Sequence, residues 1–114
     1  MFRQGKGARR YNEPITLTRS VATKDEYGHI SVSEPEDMMT VYAEVKQLTE
    51  VLTMRTFQRV DVIGLEIEFR NPNISFNGLR WRGYDVHFGQ PKELGRGMVL
   101  QIQGYYQVDD PIVQ

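Results

Sequence analysis

The chain of 114 residues has no cysteine, one tryptophan and two histidines. Without cysteine there is no disulfide framework, no thiolate zinc site and no thiol nucleophile. The histidines stand at positions 29 and 87, with no H-x-x-x-H or comparable spacing, so an imidazole metal site lacks its ligands. Long apolar runs are missing too, and none approaches the ~20 residues a helix needs to cross a bilayer. The opening MFRQGKGARRYNEP is basic but no apolar stretch follows it, so neither a targeting signal nor a membrane partner is expected. The net charge of −1 argues against a general polyanion binder, and any nucleic-acid contact must come from a local patch.

Catalytic constellations are equally scarce. The acids gather in KDEYG, SEPED and VDD, in turns or at the end of the chain, where carboxylates are solvated rather than tuned for proton transfer. GQPKELGRG is not a phosphate-binding loop, and GKGARR precedes no helix. Ser20, Ser31, Ser33 and Ser75 have no nucleophile-elbow context. No set of residues supplies a nucleophile, a base and an orienting group together. The expectation is a protein that is not an enzyme and carries no cofactor or metal.

What is present is a pattern of period two. A hydrophobic fraction of 39% and a charged fraction of 25% belong to an ordinary globular chain, long enough for one modest core. Ile15, Leu17 and Val21 alternate with Thr16, Thr18 and Ser20, with Arg19 interrupting; Ile30 and Val32 begin a second strand. Val41, Ala43 and Val45 alternate with Tyr42, Glu44 and Lys46, and Leu65, Ile67 and Phe69 with Glu66, Glu68 and Arg70. Such alternation marks strands with one face in a core and one in water. Asn77-Gly78 and Arg82-Gly83 read as turns flanking short strands. A last strand, MVLQIQGYYQV, points Met98, Leu100 and Ile102 inward and has Gly104 at a bulge or bend.

Summed, this is a mainly β chain: a small antiparallel barrel of about six or seven strands, with at most one short helix. The expected division is a flexible basic arm over residues 1–13, one domain over 14–108 and a short tail over 109–114. Residues 47–61, QLTEVLTMRTFQRVD, fit neither template: Leu48, Val51 and Leu52 suit a helical turn, whereas Leu52, Met54, Thr56 and Val60 suit an extended segment. RWRGYDVHF interleaves Arg80, Trp81, Arg82, Tyr84 and Phe88. It reads either as a platform for single-stranded nucleic acid or as a core edge capped by Trp81, since Tyr84, Val86 and Phe88 share a face.

The order of these motifs resembles that of the head-tail joining proteins of tailed bacteriophages, the head-closure or stopper component of the connector. The resemblance rests on Ile15 and Arg19 in the first strand and on Asp25 and Gly28 in a D-x-x-G turn. It continues through Tyr42, Ala43 and Val45, the strand ending in Arg70, and Trp81, Gly83, Tyr84 and Val86 in the next hairpin. It runs from about Ile15 to Tyr106; EPEDMMT and RNPNISFNG depart from the family pattern.

The resemblance implies a structural virion protein at the head-tail interface, made in the host cytoplasm. It would form a six- or twelve-fold homo-oligomeric ring, or stay a monomer until it meets its partner. The ring would lie between the portal or adaptor protein and a tail-completion protein, closing the channel around packaged double-stranded DNA. The segment after the third strand would be the lumen loop, with Glu50, Thr53, Arg55, Thr56, Gln58 and Arg59 facing the channel. Lys24, Asp25, Glu26 and Tyr27 in the charged turn, with Arg9 and Arg10 in the arm, would meet neighbouring subunits or partners. The alternatives are a tail-completion or terminator ring, and a small single-strand-binding barrel.

Overall fold

A computed structural model describes residues 11–108. Arg9, Arg10 and most of the expected arm, together with residues 109–114, lie outside the described residues. The elements are β1 (Glu13–Arg19), β2 (Ala22–Lys24), β3 (Ile30–Val32), β4 (Glu36–Gln47), α1 (Glu50–Phe57) and β5 (Ile63–Arg70). They continue with β6 (Gly78–Trp81), β7 (Tyr84–Asp85), β8 (His87–Phe88), β9 (Lys92–Leu94) and β10 (Val99–Tyr106).

One antiparallel sheet runs β7-β6-β1-β4-β5-β10-β8, with β9 also paired to β10. Its two ends belong to one short stretch of chain. Tyr84 and Asp85 pair with β6, the Val86 N–H donates to the Leu79 carbonyl at 2.9 Å, and His87 and Phe88 pair with β10. Residues 84–88 therefore touch both edges and draw the sheet into a nearly closed barrel. Closure removes edges that would otherwise template aggregation.

Inward positions follow the alternation. Ile15, Leu17, Ala43, Leu65, Ile67, Phe69, Leu79, Val86, Leu100 and Ile102 form the core. Each large aliphatic or aromatic side chain buried there stabilises the fold by roughly 1.5–3 kcal/mol. Gly104 sits in this wall without a bulge, since β10 runs in continuous register past both β5 and β8. Its role is spatial: a Cβ there would lie 2.7 Å from the His87 carbonyl oxygen and 2.7 Å from Val86 Cγ1. The closing strand can approach only because that methyl is missing.

Besides the bulge expected at Gly104, four expectations need correction. Met98 is 70% exposed, because β10 begins at Val99 and Met98 belongs to the preceding turn. Val21 is exposed, because β1 ends at Arg19 and the chain leaves the barrel there. Thr18 is buried directly after Leu17, where period two allows one of the pair. The register of β1 on β4 shifts at this step, with Met38 the extra residue, and Thr18 lies against Gly78, where a Cβ would overlap Thr18 Oγ1. Asn77-Gly78 is not a turn: Asn77 N–H donates to the Thr18 carbonyl at 3.0 Å, and its side-chain amide clamps both backbone groups of Ser20, so the pair extends the β1–β6 ladder.

Arg82-Gly83 is a turn, as expected. Trp81 faces Tyr84 across a two-residue loop with φ of 50° and 81°, the mirror-image geometry that matches strand twist. Among the described residues, strands β2 and β3 pair with each other alone, in a separate two-stranded sheet. Every residue from Val21 to Thr40 is exposed, so this ribbon stands off the barrel instead of joining it.

Candidate assembly surfaces

The ribbon ends in a tip built by Asp25. Its Oδ1 accepts from the Tyr27 N–H at 2.9 Å and the His29 N–H at 2.8 Å, its carbonyl accepts from the Gly28 N–H, and Gly28 takes φ +85°. Asp25 bonding the backbone two residues on, and glycine supplying the positive φ, is what the D-x-x-G spacing leads one to expect. The bond from His29, followed by that from Tyr27, holds the Asp25 carboxyl below its ordinary range. Asp25 is thus committed to the turn, leaving Lys24, Glu26 and Tyr27 exposed beside it. The pairs Ala22↔Val32 and Lys24↔Ile30 share one ribbon face. On and beside that face, Tyr27, Ile30 and Val32 are 78%, 70% and 64% exposed.

The segment expected to line a lumen resolves as helix α1. Thr49 caps it, its Oγ1 accepting from the Leu52 N–H at 3.1 Å, and Gln58 ends it in the left-handed region, its N–H on the Met54 carbonyl. It is fastened to β5: the Leu48 N–H donates to the Gly64 carbonyl at 2.8 Å, and a Cβ at Gly64 would lie 2.5 Å from Thr53 Oγ1. Phe57 packs edge-on against Tyr105 at 5.1 Å. This anchoring corrects the picture of a freely projecting loop.

It also sorts the six candidate residues. Thr53 is buried against the sheet and faces no channel. Arg59 is already engaged, bonded twice to Asp61 and once to Tyr105 Oη, with its guanidinium 5.2 Å from the Tyr105 ring centre. Glu50, Arg55, Thr56 and Gln58 remain exposed, beside Val51, Leu52 and Met54. The helix hid from sequence reasoning because its packed position is a threonine while apolar side chains face outward, inverting the amphipathic signal.

Trp81 is half-buried and fully engaged. Its Nε1 donates to Glu13 Oε1 at 3.0 Å, Tyr106 meets its ring edge-on at 5.9 Å, and the Arg82 guanidinium lies 4.7 Å from its centre. Arg82 also reaches Glu13, and Tyr84 stacks on Tyr106 at 4.5 Å. The indole bond, then the Arg82 bond, lowers the Glu13 carboxyl pKa. The aromatic–basic run is therefore a clasp between β1, the β6–β7 turn and β10, with Trp81 capping the core. His87 is exposed and lies over Tyr105, away from the face of Val86.

Among the described residues no group of three or more His, Asp or Glu side chains could hold a metal ion, and no buried side-chain polar atom lacks a partner. Among the described residues no helix is long and apolar enough to cross a membrane.

No family model matches the chain, and no curated protein matches it. Among solved structures it is similar to the solution structure of protein SF1141 from Shigella flexneri 2a. The TM-score is 0.61 at 17% identity, covering 89% of this chain and 96% of that one. At that identity the likeness is one of fold.

Proposed function

We propose that this chain is a structural subunit of a phage head-tail connector: a barrel that assembles as a ring below the portal or adaptor, continues the DNA channel and receives the tail. The motif order described above suggests this reading, and the exposed ribbon supports it most. A two-stranded ribbon is marginal in water by itself, and an apolar face on one calls for a protein surface to cover it. A subunit destined for an assembly carries such an element before its neighbours arrive. In this reading Arg55, with Glu50, Thr56 and Gln58 beside it, is the part of α1 that could meet DNA, and ring symmetry would multiply its single charge. Arg59 and Thr53 drop out of that role.

The test is co-purification and DNA retention. The tagged chain should draw down portal or adaptor and tail-completion proteins encoded beside it, and heads assembled without it should lose packaged DNA. A chain that retrieves only tail-tube proteins would be a terminator instead. One that retrieves no virion protein at all, and whose loss leaves heads filled and tailed, would end the proposal.

A further inference from the structure

We propose that the open edge of β4 over residues 36–42 receives the β2–β3 ribbon of a second copy of this chain, strand beside strand. The inference rests on the ring reading above and gives it a specific contact.

Strand β4 is twelve residues long, but its two neighbours cover different parts of it. Its pairs with β1 run from Glu36 to Ala43, while its pairs with β5 begin only at Ala43 and end at Gln47. Over residues 36–42 the β5 side of β4 has no strand against it among the described residues. Strand β5 stops at Arg70, and the Asn71 N–H donates to the Met98 carbonyl at 2.9 Å on the β10 side. Beside the open edge lies a groove of about 370 Å³ lined by Tyr11, Met39, Val41, Tyr42, Arg70, Asn71 and Pro72.

Folded proteins blunt an exposed strand edge with lysine, proline or a covering loop. The run Met38-Met39-Thr40-Val41-Tyr42 carries no lysine or proline; its blunting among the described residues is the bulge at Met38 and the acids Glu36 and Asp37 at its start, and Asp37 is taken by Arg80 at 3.0 Å. Unpaired backbone groups next to an apolar groove fit an added strand, whose main-chain bonds supply affinity and whose side chains supply register. The ribbon offers such a strand, since among the described residues β2 and β3 pair only with each other and leave both outer edges open.

Two features select a second copy as the occupant. Ribbon and open edge differ in length, about 10 Å for each ribbon strand against roughly 23 Å at ~3.3 Å per residue, so the ribbon fits within the edge. Their charges complement: Arg70 borders the groove with no ion pair among the described residues, and the free anion at the ribbon tip is Glu26, because Asp25 serves the turn. Tyr27, next to Glu26, is the rigid exposed aromatic that anchors interfaces in pockets, and Met39, Tyr42 and Pro72 offer one. Ribbon and edge are unlike surfaces, so each copy gives an arm on one side and receives one on the other. Such a head-to-tail contact propagates and, with the right rotation, closes a ring.

Because the native chain has no cysteine, introduced thiols report cleanly. Glu26→Cys and Arg70→Cys chains, mixed under mild oxidant on the portal-bound assembly, should form a disulfide-linked dimer that neither variant forms alone. The double variant should give a ladder of linked oligomers. As a second readout, Glu26→Arg or Arg70→Glu alone should weaken self-association about tenfold, with the pair together recovering it. Tip-to-tip linkage in Glu26→Cys alone, or a complete ring with no Glu26–Arg70 linkage, overturns the contact while leaving the ring reading standing. Absence of any ring overturns both.

Discussion

At the residue scale the barrel depends on places where a side chain is missing. Gly104→Ala would push a methyl to 2.7 Å from the His87 carbonyl oxygen, a backbone atom that cannot swing aside. The expected cost is about 1–3 kcal/mol, read as a fall of roughly 4–8 °C in Tm per kcal/mol. Glu13 offers a spectroscopic test, because Trp81 is the only tryptophan and donates to it. The Glu13 carboxyl is lowered, so its contribution is complete above the ordinary glutamate value near about 4.3 and is lost as pH falls through the lowered one. Trp81 emission should shift in that acid window with the fold intact, and Glu13→Gln should flatten the titration. The sequence could announce the turn glycines through their neighbours. It could not announce Gly64, Gly78 and Gly104, whose need arises from what packs across them.

At the element scale, legibility followed the period. Strand β5 shows its burial pattern in the letters, with Leu65, Ile67 and Phe69 all fully buried between half-exposed glutamates. The Arg82-Gly83 turn was equally plain. Helix α1 was not, because an eight-residue helix packed through Thr53 presents Val51, Leu52 and Met54 outward. So short a helix is held by its caps and by docking more than by propensity. Thr49→Ala should therefore cost about 1 kcal/mol in chemical denaturation, and hydrogen exchange should quicken in residues 50–57 while β5 stays protected. Uniform loss of protection across the sheet would mean that α1 is integral to the core rather than fastened onto it.

At the scale of the whole molecule, the barrel was readable and the ribbon's placement was not. Ile30 and Val32 alternate as any core strand would, and nothing local distinguishes a strand that enters a barrel from one that leaves it. The difference lies in tertiary pairing: β3 meets only β2, and β4 outruns β5. Replacing residues 22–32 by a short glycine turn should leave the melting temperature of the isolated chain within a few degrees, since none of the core residues lies there. Under the proposed ribbon-to-edge contact, the same change should abolish self-association. A large loss of Tm would mean that the ribbon supports its own barrel.

The measurement that bears most directly on the proposed assembly is the mass and symmetry of the particle formed when the full chain is mixed with the proposed portal or adaptor, by native mass spectrometry and averaged electron images. The result expected is a closed ring of six or twelve copies, with the ribbon of each lying along β4 of the next. A single copy per complex, or a ring whose ribbons point free into solvent, would contradict it.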